Sequence, residues 1–85
     1  MQIHLRFFAS LREALATSQE TISLPHEVKT VEQVREHLRA RGGVWAQALA
    51  DGRSVRMACN QQMAEAATPV SEGCELAFFP PVTGG

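Results

Sequence analysis

Gln2-Ile3-His4-Leu5-Arg6-Phe7-Phe8-Ala9 opens the chain, and Cys74-Glu75-Leu76-Ala77-Phe78-Phe79 comes just before its end. In the first run Ile3, Leu5 and Phe7 share one face, with His4 and Arg6 on the other, a period-two pattern that makes a half-buried strand. In the second, Cys74, Leu76 and Phe78 alternate in the same way. As the most apolar strand candidates, these two runs belong at the centre of a sheet. Between them, Glu20 to Leu24 alternates with Ile22 and Leu24 inward and stops at Pro25, and Val55 to Asn60 places Val55, Met57 and Cys59 on one side.

Two capping boxes punctuate the interior. Ser10-Leu11-Arg12-Glu13 predicts a short first helix with Leu11 and Leu15 inward, and Thr30-Val31-Glu32-Gln33 opens the main one. Val31, Val34 and Leu38 form the main helix's apolar stripe, while Glu32, Arg35, Glu36 and Arg39 are expected in water and His37 beside the stripe. Gly42-Gly43 supplies the left-handed residue that ends it. Trp45, Ala48 and Leu49 suggest one more helical turn closed by Asp51-Gly52, with Trp45 a packing anchor. Asn60-Gln61-Gln62 and Thr68 to Gly73 read as turns, and Ala64 to Thr68 as an alanine-rich loop. Strands on both sides of one main helix give an α+β class. With both chain ends central, the arrangement would be a β-grasp: residues 1–79 as one domain and residues 80–85 as an extended Gly-Gly tail.

Composition narrows the function. The 85 residues are 45% hydrophobic and 20% charged, an ordinary globular balance for one small domain. Eight Lys and Arg against nine Asp and Glu leave a net charge of -1, which argues against nucleic acid as a partner. No leader-like start and no apolar run of about 18 residues are present, so a membrane partner is not expected and the cytoplasm is. Cys59 and Cys74 lack C-x-x-C company and read as small core hydrophobes in a reducing compartment. With His4, His26 and His37 they show no metal-ligand spacing, so no metal site is expected.

Three apolar residues break the pattern. Phe8 shares parity with His4 and Arg6, and Phe79 with Glu75, so both face away from the core sets, while Met63 has no obvious core position. If the first and last strands are neighbours, Phe8 and Phe79 form an exposed patch of the kind that marks an interface. The alternative is that the first helix or the loops cover them. The ending Pro80-Pro81-Val82-Thr83-Gly84-Gly85 is the other anomaly. Two prolines enforce a stiff, extended exit, and six extended residues reach about 20 Å. A frayed terminus is the generic reading, but a Pro-Pro base is poorly suited to fraying. The tip's α-carboxylate is ionised at neutral pH and unreactive as an acyl donor until adenylated, after which a sulfur nucleophile could take the acyl group. A narrow channel admitting the tip would demand residues without Cβ. No G-x-x-x-x-G-K-[ST] loop and no nucleophile–base set accompany it, so no cofactor is expected on this chain and ATP would be used by a partner.

The run Phe78-Phe79-Pro80-Pro81-Val82-Thr83-Gly84-Gly85 resembles the C-terminus of the sulfur-carrier small subunits of molybdopterin synthase. Leu5-Arg6-Phe7-Phe8-Ala9, Leu11-Arg12-Glu13, Thr30-Val31-Glu32 and Asn60-Gln61 fit that family over essentially the whole chain. The resemblance implies a ubiquitin-like β-grasp and a heterotetramer with two large subunits at its centre. It implies that Gly85 is adenylated by a ubiquitin-activating-type adenylyltransferase and converted, with a sulfur donor, to a thiocarboxylate. The tail, Pro80 to Gly84 included, would then enter the large subunit and give sulfur to cyclic pyranopterin monophosphate. Phe8, Met63 and Phe79 match the family's docking surface, and Arg12 is a polar contact candidate there. Arg6 departs from the family, which commonly has an apolar residue at that position. Three other readings compete. A thiazole-synthesis sulfur carrier is usually shorter and lacks Phe-Phe-Pro-Pro; a ubiquitin-like modifier would leave conjugates of high mass; a stand-alone enzyme lacks its catalytic set.

Overall fold

The computed structural model describes residues 1–81; the positions of Val82, Thr83, Gly84 and Gly85 fall outside them. The elements follow in the order β1 (Gln2–Phe7), α1 (Ala9–Leu15), β2 (Gln19–Ser23), α2 (Val31–Arg39), α3 (Gly43–Ala48), β3 (Arg56–Cys59), β4 (Gln62–Ala64) and β5 (Glu75–Phe79). The five strands form one sheet in the order β2-β1-β5-β3-β4. The first and last strands are therefore central and pair in parallel, Leu5 beside Leu76 and Phe7 beside Phe78. The remaining pairs are antiparallel. That mixed order, with α2 packed on one side, is the ubiquitin-like β-grasp.

Burial explains why the strands sit there. Ile3, Leu5, Phe7, Leu76 and Phe78 are almost wholly buried, and Val31, Val34 and Leu38 of α2 close over them. Complete burial of such side chains contributes about 1.5–3 kcal/mol each, which favours the middle of the sheet for the two most apolar strands. Leu11 and Leu15 bring α1 onto the same core, and Leu49 brings the end of α3. Trp45 meets Phe7 edge to face at 5.5 Å, so it is the packing anchor its spacing suggests.

The helix starts differ from each other. At Thr30 the capping box is complete: its Oγ1 accepts from the Gln33 amide at 3.2 Å, and Gln33 Oε1 accepts from the Thr30 amide at 3.2 Å. The expected box at Ser10 does not form. Helix α1 begins at Ala9, its N-cap is Phe8, and no side chain caps it. Ala9 takes φ 51, so the chain turns sharply straight out of β1 and Ser10 is already inside the helix. Beyond α2, Gly42 and Gly43 both have positive φ, which lets α3 start within four residues of the end of α2.

Arg35 corrects a second expectation, for it is buried and not in water. Its Nε donates to Leu49 O at 2.8 Å, and its terminal nitrogen donates to Ala50 O at 2.6 Å and Arg53 O at 3.2 Å. The guanidinium ties together carbonyls at the end of α3 and in the next turn, where Ala50 O also accepts from the Arg53 amide at 2.9 Å. The third correction is β4, which begins in the expected turn and ends in the expected loop. Asn60 and Gln61, at φ 50 and 69, make a two-residue hairpin that folds Gln62–Ala64 back along β3.

Candidate functional site

Strand alternation turns a second set of side chains through the sheet, away from the helices. Across the four strands β1, β5, β3 and β4 the register aligns Arg6, Ala77, Ala58 and Met63 in one row. Three strand spacings make that row about 14 Å long. One step further along, Phe79 sits beside Arg56, and Phe8 lies next to the end of β5 with its amide donating to Phe78 O at 3.2 Å. Phe8 and Phe79 therefore lie on the face that parity assigns them, and the pairing of β4 with β3 brings Met63, which the sequence left without a core position, onto the same face. No helix among the described residues covers it, because the buried residues of α1 and α2 all belong to the core on the opposite face. Met63 is 63% exposed and Phe8 39%, against 1% for Phe7. Phe79 is half-buried between its neighbours.

The face has two halves. Toward β4 it is mainly apolar, with Phe8, Ala58, Met63, Ala77 and Phe79, and the exposed Arg56 lies beside Phe79. Toward β2 it is polar, a shallow groove walled by His4, Arg6, Gln19, Thr21 and Glu75. His4 Nδ1 lies 3.0 Å from Thr21 Oγ1. Arg6 stands at the boundary, with its guanidinium 5.5 Å from the Phe8 ring centroid and 3.7 Å from Glu75 Oε1. Arg12 is exposed on α1 and makes no ion pair among the described residues; its place relative to Phe8 is one helical turn along the chain.

Strand β5 delivers Pro80 and Pro81, both half-buried, at the end where Phe8 and Phe79 lie. The roles expected of Val82, Thr83, Gly84 and Gly85 fall outside the described residues. The thiols offer no second acyl-transfer site. Both are free, and burial, with Cys74 close by, pushes the Cys59 thiol above its ordinary range, so it stays protonated and poorly nucleophilic at neutral pH. Among the described residues no group of three His, Cys, Asp or Glu side chains could hold a metal, and no helix is long and apolar enough to cross a membrane.

Residues 5–85 match the model of the ThiS family. Over 83 residues the chain is 41% identical to the molybdopterin synthase sulfur carrier subunit of Escherichia coli K12 and 42% identical to that of Haemophilus influenzae. Both alignments cover 98% of this chain and 99% of the relative. It also superposes, with a TM-score of 0.68 and 21% identity over 100% of both chains, on a structure from Helicobacter pylori described as the complex of subunits 1 and 2 of molybdopterin-converting factor. At that identity the superposition bears on the fold alone. By its family match and its full-length relatives, the chain belongs to the ThiS family, among the molybdopterin synthase sulfur carrier subunits.

Proposed function

We propose that this chain carries sulfur on its C-terminus to the large subunit of molybdopterin synthase. The observation that carries the docking half of this reading is the apolar face of Phe8, Ala58, Met63 and Phe79 around the buried Ala77, which no helix covers among the described residues, beside the point where β5 releases Pro80. Full-length likeness to sulfur carrier subunits supports the chemical half. The large subunit covers the apolar face, with Arg12 at its rim, and two carriers flank two large subunits as a heterotetramer. The structure from Helicobacter pylori is of a complex between subunits 1 and 2, which is in keeping with a large-subunit partner.

Residues 80–85 then act as the tail. The Gly85 carboxylate attacks the α-phosphate of ATP on a ubiquitin-activating-type adenylyltransferase, releasing pyrophosphate and leaving an acyl adenylate. Sulfide-level sulfur from a donor attacks the acyl carbon and displaces AMP, giving the thiocarboxylate. Inside the large subunit the thiocarboxylate sulfur bonds to a carbon of cyclic pyranopterin monophosphate, and water then cleaves the acyl–sulfur bond, leaving sulfur on the pterin and regenerating the carboxylate. Pro80 and Pro81 form a stiff base, Val82 and Thr83 follow in sequence, and Gly84 and Gly85 carry no Cβ, as a narrow channel would require. The chain itself binds no ATP and no metal in this scheme, and it works in the cytoplasm. Intact-mass measurement after incubation with ATP, the adenylyltransferase and a sulfur donor tests it. The expected gain is that of one oxygen replaced by sulfur, absent when Gly85 is deleted; no gain with an intact tail would refute the carrier role.

A further inference from the structure

Arg6 is the residue that this docking face leaves unaccounted for. It heads the row Arg6-Ala77-Ala58-Met63 and borders Phe8, yet it brings a permanent positive charge to an otherwise apolar strip. Its donors are unspent. Nε is buried without a hydrogen-bond partner among the described residues, and the contact with Glu75 at 3.7 Å is longer than a hydrogen bond. Both side chains of that pair are over a third exposed, at 41% and 35%, so water holds the guanidinium in the free chain. A partner that covers the row removes this water. Unless it supplies an acceptor, the terminal N–H groups of Arg6 lose their hydration with only the long contact to Glu75 to offset it, which opposes binding.

We infer that the surface docking on this face presents a carboxylate to Arg6, making Arg6 a specificity-determining residue at the border of the apolar patch. The inference rests on the docking reading above and adds the chemistry of the contact. The Phe8 ring beneath the guanidinium holds the planar fork in place, so an incoming Asp or Glu meets a positioned donor pair in geometry that suits bidentate contact. A carrier-binding surface that is apolar throughout is disfavoured, because it would leave the guanidinium with no acceptor at hydrogen-bond distance and only Glu75 at 3.7 Å. Such a contact is charge-assisted and sits at the rim, so it weakens as salt is added.

The test is the affinity of the molybdopterin synthase large subunit for the wild-type carrier and for Arg6→Met, Arg6→Lys and Phe79→Ala, at low and high salt. Arg6→Met keeps the length and removes the charge, on a face where it leaves the core intact. The expected result is binding weaker by about tenfold or more, with a shallower salt dependence, and a smaller loss for Arg6→Lys. Arg6→Met binding as well as wild type, or tighter, overturns the inference while leaving the docking face standing if Phe79→Ala still weakens it. Weaker binding with unchanged salt dependence overturns the carboxylate in favour of a neutral acceptor. If Phe79→Ala has no effect, the docking face itself fails, and this inference with it.

Discussion

Phe7 and Phe78 stack at 5.8 Å beneath the helices, while their immediate chain neighbours Phe8 and Phe79 emerge on the other side of the same sheet. The two pairs have the same composition and lie one residue apart, yet they do different work. The inner pair is enclosed by Trp45 and the apolar stripe of α2 and holds the fold together. The outer pair has no helix above it, and with Met63 and two alanines it leaves apolar surface that a domain of this size has reason to cover only with a partner. Strand alternation alone separates stability from docking here. Changes on one face should move one property and spare the other.

The largest expected effect belongs to neither face. Deleting Gly85 should abolish sulfur transfer while the melting temperature and affinity for the large subunit stay near wild type, as checked by product formation alongside calorimetry. Next comes the contrast between adjacent phenylalanines. Phe78→Ala should cost about 3–5 kcal/mol of folding stability in denaturant titration. Phe79→Ala should cost about 2 kcal/mol of docking free energy with far less loss of stability. Similar effects from both would erase the division of labour. Thr30→Ala removes the cap of α2 and should lower stability by about 1 kcal/mol with docking unchanged.

The smallest effect is a pH dependence on the helix side. The hydrogen bond from Arg41, whose guanidinium meets both Glu20 oxygens at 3.0 and 2.6 Å, holds the Glu20 carboxyl below its usual range against the opposing effect of burial. A depressed carboxyl contributes stability that is present above its unfolded pKa and lost as pH falls through the folded one. Because the pair is partly exposed, Glu20→Gln should flatten the acid limb of the stability curve by less than about 1 kcal/mol. Docking at neutral pH should be unaffected.

The two faces of the central strands were legible because Ile3-Leu5-Phe7 and Cys74-Leu76-Phe78 alternate without interruption, and a period of two leaves Phe8 and Phe79 one possible side. Tertiary demands hid the rest. Ser10 and Glu13 have the letters of a capping box, but the sharp turn at Ala9 starts the helix before Ser10 can act. Strand β4 is three residues long, and its turn is Asn60-Gln61, where the stronger hairpin signal would have been Asn-Gly. Arg35 looked like a solvent residue because it is charged. Its position four residues after Val31 and three before Leu38 places it on the buried stripe, and that spacing could have flagged it, although the carbonyls it serves lie 14 to 18 residues away.

Hydrogen exchange on the carrier, free and bound to the large subunit, tests the division between faces most directly. Docking on the uncovered face predicts new protection in the segments carrying Phe8, Ala58, Met63 and Phe79, and in the residues after Pro81, with α2 unchanged. Protection concentrated on α2 and α3, with the segments around Met63 and Phe79 exchanging as in the free chain, would contradict it.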